Sequence, residues 1–496
     1  MILSLNSTSL DVVWRQQRSK SMFISGNNSV TYDEFLTQVS DCKTLLGDLS
    51  ATSVAMCLDN SINWLVVDFA CQQLGIVLLP IPLYFSPEQI QHSINTAGCD
   101  VLIVDTNIAE NFTALFPDAQ AINCAMDLSC YSLTKILANN ASCIPKNTAK
   151  ITFTSGTTGQ PKGACLSTEH QWLVAKNIAD SVSTQVNKHL CVLPLATLLE
   201  NIAGIYAPLL NGATVEIPSL SALGFSGSSS LDFEKFIQQI SQSQPTSLIT
   251  TPEILKALVQ ACQMGWKAPK SIQFIAVGGA HTAQSLLADA KANGLPAYQG
   301  YGLSECCSVV SLNTEMNNNS QSAGKLFSHL KVEIKEGEII VKGPLFLGYA
   351  GDKNSWGKTE YATGDLGYLD DDGYLFIQGR KKNTLVSSFG RNINPEWIES
   401  NLLAYSHIKQ AIVFGDAQPF CCAGIYVDQG FTTSAQVCVS IEALNTQLPD
   451  YAQIKSWFYL PEVILPNSEL MTANGRIRRD LAAVYLSEQL AATYCD

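Results

Sequence analysis

From about Ser53 to Thr250 the chain alternates strand-like with helix-like stretches, and this alternation limits the fold more than any other feature. Strands separated by helices pair in parallel, and the crossing helices cover the sheet faces, so an α/β architecture is expected. Residues 53–58 read as a strand, Ile62–Leu74 as a helix and 75–82 as a second strand. Residues 86–97 read as a helix, with Ser86 as its N-cap and Pro87 in the first turn, and Val101–Val104 as a further strand. Thr251-Pro252-Glu253 opens another helix in the same way, with Ile254, Leu255, Leu258, Val259 and Cys262 on one face. Two polar stretches, 219–230 and 313–322, read as surface loops.

Beyond Glu333 the pattern turns β-rich, with strands expected over 337–342, 366–370 and 374–378. Asp372-Gly373 is a hairpin signal between the last two. Closing that hairpin brings Asp365 and Arg380 together at its open end, where they fit a surface ion pair as well as a ligand site. The basic run 379–383 follows and reads as a hinge. With 496 residues the chain exceeds the ~250–300 that one core accommodates. We therefore expect a large domain of packed α/β sheets with a small β-region over residues 1–380. A small α+β domain is expected over 381–496.

Lys and Arg number 30 against 43 Asp and Glu, a net charge of −13, which makes the chain a poor general binder of nucleic acid or anionic membrane. No apolar run reaches the ~18 residues of a membrane helix. The 16 cysteines are scattered, often within apolar runs, with no C-x-x-C pair. The first twenty residues lack a basic segment followed by an apolar one. Reduced core thiols and a cytoplasmic location are the expectation. The six histidines are dispersed and suggest no His/Cys metal cluster.

The sequence ITFTSGTTGQPKG over 151–163 carries strand-like residues, then three glycines, several hydroxyls and a lysine. Glycines let backbone N–H groups approach a ligand, hydroxyls donate to phosphate oxygens and lysine adds charge. A Ser/Gly surface turn has the same composition. A Walker motif is excluded, because Pro161 precedes Lys162 and Gly163 follows it. The string TSGTTGQPKG resembles the signature loop of the adenylate-forming enzymes, which include acyl-coenzyme A synthetases, beetle luciferases and nonribosomal peptide adenylation domains. Four more segments follow in the family's order. Gly278-Gly279-Ala280 ends an apolar strand; YQGYGLSE spans 298–305; YATGDLGYLDDDGYLFIQGR spans 361–380; and ELMTANGRIRR spans 469–479.

The resemblance implies the following roles. Thr154, Ser155, Gly156, Thr157, Thr158, Gly159 and Lys162 form the phosphate loop, with Ser304 as a further phosphate contact. Gly279, Ala280, Gln299, Gly300, Tyr301 and Gly302 border the adenine. Glu305 holds Mg²⁺, Asp365 grips the ribose hydroxyls, and Arg380 is a second ribose or phosphate contact. Lys382 is the hinge, and Gly390 lies where a pantetheine thiol passes. Arg476 stands where the family usually has the lysine that reaches the carboxylate and the α-phosphate. Arginine keeps the charge but is longer, planar and forked.

The segment LPLATLLENIAG over 193–204 is similar to the stretch beside the substrate carboxylate in fatty acyl synthetases, with Thr197 where many have histidine; the resemblance implies substrate contacts at Thr197 and Gly278. Amino-acid-activating relatives place an aspartate near Leu195, and none is present; Glu200 fits better as a partner for its own helix. An apolar carboxylic acid of medium or long chain is therefore favoured over an amino acid. The resemblance, closest to the fatty acyl-coenzyme A synthetases, implies ATP- and Mg²⁺-dependent formation of acyl-AMP. Transfer to a pantetheine thiol follows. The acceptor is coenzyme A or the phosphopantetheine of an acyl carrier protein, for which Arg380, Lys381, Lys382 and Arg391 offer a basic patch. A catalytically impaired acyl-adenylate binder is the alternative of another class, suggested by Arg476 and Thr197.

Overall fold

The computed structural model describes residues 6–122, 128–133, 143–154, 161–182, 186–226, 230–427, 432–465, 468–471 and 477–494. The expected alternation is present. Ser53–Cys57, Val77–Pro80 and Val101–Val104 are parallel strands, wholly buried, with helices Ile62–Leu74 and Pro87–Ala97 between them. Ser86 caps the second helix: its side chain accepts from the Gln89 backbone, and Gln89 returns the bond. Gly75 and Gly98 end the two helices in the left-handed region, where a Cβ is penalised.

These strands belong to an eight-stranded mixed sheet, which continues through Lys150–Thr154 and its antiparallel partner Lys162–Leu166. A second, nine-stranded sheet runs Lys188–Leu190, Ser247–Thr250, Phe274–Val277 and Ala297–Tyr301 in parallel. Between the two sheets lies the main apolar core, which includes Trp14, Trp64, Phe69, Trp172 and Tyr206.

A third, four-stranded antiparallel sheet carries the predicted hairpin, longer than expected: Glu360–Leu369 against Leu375–Arg380. Gly373 turns it at φ 80°. Residues 219–230 are less loop-like than expected. Leu223 is fully buried, and Phe225–Ser226 pairs with Ser230–Leu231. The 313–322 stretch is anchored at both ends by buried Asn313 and Ser322, which bond each other, while Met316 at its tip is 86% exposed.

Past Arg380 the chain makes a 3₁₀ turn, Lys381–Asn383, and a small α+β domain. Its three-stranded sheet, Ile408–Phe414, Cys421–Val427 and Ile454–Tyr459, is covered by helices Pro395–Ala404 and Ser434–Asn445. Every described cysteine is a free thiol, and most are buried, as read from the sequence. No described helix is long and apolar enough to cross a membrane.

Candidate active site

A cavity of about 1550 Å³ opens along the ends of the parallel strands of the nine-stranded sheet and reaches the seam with the small domain. Crevices at strand ends are where open α/β sheets bind ligands. Gly278, Gly279 and Ala280 follow Phe274–Val277 directly, and Gln299, Gly300 and Tyr301 end Ala297–Tyr301; all six line the cavity. Gly279 takes φ 91°, and a Cβ on Gly302 would lie 1.7 Å from the Ser308 carbonyl oxygen, so neither position tolerates a side chain without rearrangement.

Asp365 and Arg380 are directly opposed in the hairpin register, with Arg380 Nε 2.8 Å from Asp365 Oδ1. Tyr301 donates its hydroxyl to Asp365 Oδ2 at 2.6 Å. The carboxylate, only 4% exposed, is thus fixed from two sides and faces the cavity. Burial, and then Asp365 itself, hold the Tyr301 phenol well above its usual range, so it remains a donor.

Glu305 lies in the short turn Ser304–Cys306, whose hydroxyl residue, Ser304, also lines the cavity. Tyr349 donates to Glu305 Oε1 at 2.5 Å and sits 3.0 Å from the Tyr361 hydroxyl. Lys162 places its ammonium 5.3 Å from the Tyr349 ring centre. Burial, followed by the Glu305 charge, pushes the Tyr361 phenol up to about 12. The turn leaves through Cys307 at φ 57° and Ser308 at φ 105°, left-handed conformations that are strained for these residues. Nothing in the sequence announced that strain.

Of the remaining expected residues, Thr197 and Gly278 line the cavity on the wall formed by Leu193, Leu195, Leu199 and Ala203. The described part of the strand Lys150–Thr154 leads to the phosphate loop; Ser155, Gly156, Thr157, Thr158 and Gly159 lie outside the described residues, as do the Thr154 side chain and Arg476. The segment that carries Arg476 is bracketed by a Met471–Ile477 bridge, and both of those residues line the cavity together with Arg479. Lys382 is exposed at the seam. Gly390 is not brought to the cavity: it turns at φ 72° in an exposed loop beside Phe389, which is 75% exposed.

Two buried polar clusters were not foreseen. Lys150, 2% exposed, forms an ion pair with Asp68 at 2.9 Å and donates to Asn201 and Tyr206 at 2.5 and 2.8 Å. Tyr206 in turn donates to Asp68 at 2.5 Å, and Gln72 bonds both. Burial lowers the Lys150 pKa and Asp68 opposes that shift. The cluster ties helix Ile62–Leu74 and the turn Glu200–Tyr206 to the strand that feeds the phosphate loop. Its sequence signal was a single charge inside each of two apolar segments. Glu200 does not serve its own helix: His189 Nε2 meets its Oε1 at 3.2 Å across the fold. With Cys191 these donor atoms fall within 4.8 Å of one another, a clustering that the dispersed histidines hid.

The comparisons agree with this geometry. The AMP-binding enzyme family model matches residues 10–350, and the AMP-binding enzyme C-terminal domain model matches 382–496. A 2-succinylbenzoate–CoA ligase of Bacillus licheniformis is 26% identical over 430 residues, 81% of this chain and 86% of that protein. The long-chain-fatty-acid–CoA ligase FadD13 of Mycobacterium tuberculosis is 24% identical over 488 residues, 92% of this chain and 91% of that one. The crystal structure of the anthranilate CoA ligase AuaEII with anthranoyl-AMP superposes with a TM-score of 0.80 at 18% identity, over 98% of each chain. Fold and site define an adenylate-forming enzyme with a large N-terminal and a small C-terminal domain. The chain belongs to the AMP-binding enzyme family, and it is an AMP-forming acid–thiol ligase by class.

Proposed function

We propose that the protein activates an apolar carboxylic acid with ATP and passes the acyl group to the thiol of coenzyme A. The observation that carries this reading is the continuity of the cavity. The polar end at Glu305, Asp365 and Arg380 runs without a break into an apolar end walled by Leu195, Leu199, Ala203, Ala207 and Pro208. A fatty acid of medium or long chain suits that wall. An aryl acid is the second reading, favoured by the succinylbenzoate relative.

In the first half-reaction the substrate carboxylate attacks the α-phosphorus of ATP, the bond to the β-phosphate breaks, and pyrophosphate leaves. Asp365 takes the ribose hydroxyls, with Arg380 beside it; Tyr301 and the Gly278–Ala280 backbone flank the base. Residues 154–159, Lys162 and Ser304 receive the phosphates, and Arg476 stabilises the charge that develops between acid and α-phosphate. Glu305 is a hard oxygen donor among phosphate-binding hydroxyls, which suits Mg²⁺, and that ion would neutralise phosphate charge when bound. Catalysis is mostly positioning and charge stabilisation.

In the second half-reaction the thiol attacks the acyl carbon and AMP leaves. We place the domain boundary between residues 380 and 381, with Lys382 as the pivot that swings Gly390 to the cavity. A carrier protein is the alternative acceptor, favoured by Lys381, Lys382 and Arg391 at the exposed edge.

The test is acid-dependent ATP–pyrophosphate exchange across a panel of fatty and aryl acids, followed by thioester formation with coenzyme A and a holo carrier protein in parallel. Exchange with apolar acids and thioester with coenzyme A are expected. Absence of exchange with every acid tested would overturn the assignment.

A further inference from the structure

Three contacts join the two domains along the rim of the cavity, through residues that none of the family motifs includes. Lys256, on helix Pro252–Gln263 of the large domain, donates to the carbonyl oxygens of Tyr405 and Ile408 at 3.0 and 2.9 Å. The Tyr405 carbonyl is at the C-cap of helix Pro395–Ala404, where the helix dipole favours a cation, and the Ile408 carbonyl opens the following strand. His281 Nδ1 lies 2.8 Å from Ser400 Oγ on the same helix.

That helix also holds the C-terminal segment. Arg479 clamps Glu399 with both terminal nitrogens, at 2.6 and 3.0 Å, and donates to the Val413 carbonyl at 2.5 Å. Arg479 lies three residues after Arg476 and lines the cavity. A continuous path of bonds therefore runs from the large domain through helix Pro395–Ala404 to the segment bearing Arg476. Meanwhile Phe389 and Gly390 are exposed and do not line the cavity. In the swing proposed above, the helix leaves Lys256 and His281 as Gly390 moves in.

We propose that Lys256 and His281 are positioning residues: they latch the small domain in the orientation that serves adenylation, and their release sets the partition between the two half-reactions. This rests on the two-step reading above. Lys256 faces Glu253 on its own helix and Lys409 and His407 of the small domain. Burial first, and then Lys409, lower its pKa to about 8, while Glu253 opposes. Burial likewise lowers the His281 pKa, against Glu396. Lys409 belongs to the small domain, so its share of the shift arises on docking, which then releases a proton. The docked state strengthens as pH rises from about 8 toward the ordinary lysine value and weakens as pH falls back through that range.

Full-length wild type, Lys256→Ala, Lys256→Arg and His281→Ala should be compared in ATP–pyrophosphate exchange and in thioester formation from supplied acyl-adenylate. Lys256→Ala should lose about tenfold in exchange and less than about twofold in thioester formation, with Arg restoring most of the loss. Equal losses in both steps, or no loss in either, overturn the latch. Spin labels carried by non-canonical residues at exposed Met264 and Val439 read the docked geometry without catalysis. A single distance that Lys256→Ala broadens and low pH broadens in wild type supports the proposal; a distribution unchanged by either overturns it. Wild type that shows no exchange sinks the functional reading, and the label distances then decide the latch alone.

Discussion

Several side chains in the cavity act through a neighbour. Tyr349 holds Glu305 at 2.5 Å. Tyr349→Phe keeps the ring and removes the bond, so the Mg²⁺ concentration for half-maximal exchange should rise ~10–100-fold, the usual cost of losing such a supporting bond. A titration of exchange against Mg²⁺ checks this, and an unchanged midpoint would remove Tyr349 from the site. Arg476→Ala should slow adenylation by ~10²–10³ while sparing thioester formation from supplied acyl-adenylate, as loss of one charge-stabilising donor does elsewhere. Equal losses in both steps would refute that role. The Asp365–Arg380 pair was legible, because the hairpin signal alone opposes the two residues. Tyr349 was not legible. It reaches Glu305 from a strand 44 positions away, and no local pattern encodes that approach.

At the scale of elements, the helices and buried strands followed from capping residues and apolar runs, and Ile62–Leu74 and Val101–Val104 fall where the pattern put them. The order of strands within the two large sheets did not follow. It depends on which faces bury together, and a single chain's periodicity carries no record of that. The Lys150–Asp68 cluster illustrates the gap. Neither charge was singled out in the sequence, and only the fold pairs them. Lys150→Met leaves Asp68 buried without its cation, so a loss of about 3–5 kcal/mol is expected in denaturant unfolding. A loss under about 1 kcal/mol would show that Tyr206 and Asn201 satisfy the carboxylate unaided. Gly302→Ala drives a Cβ into the Ser308 carbonyl oxygen at 1.7 Å and should abolish exchange while leaving the rest of the fold intact by circular dichroism.

For the whole molecule, the apolar cores separate by domain. Three buried clusters hold no residue past Leu375, and the other two hold none before Leu385. Each part therefore has its own core, and calorimetry should resolve two unfolding transitions, the smaller belonging to the C-terminal part. A single transition with equal calorimetric and van't Hoff enthalpies would mean that the seam couples them fully. That there are two domains, one large and one small, was legible from length. The net charge of −13 was less informative, because the residues expected to face phosphates gather in a few loops, where a local field counts for more than the total.

Phe389 gives that division a practical use. Phe389 is a bulky aromatic, three-quarters exposed beside Gly390. If the proposed swing turns its loop inward to admit a thiol, the same ring is covered. An aromatic-cutting protease would then act as a clock on the catalytic cycle. Nicking after Phe389 should be fast with ATP and acid bound, and slow when a thioester analogue traps the later pose.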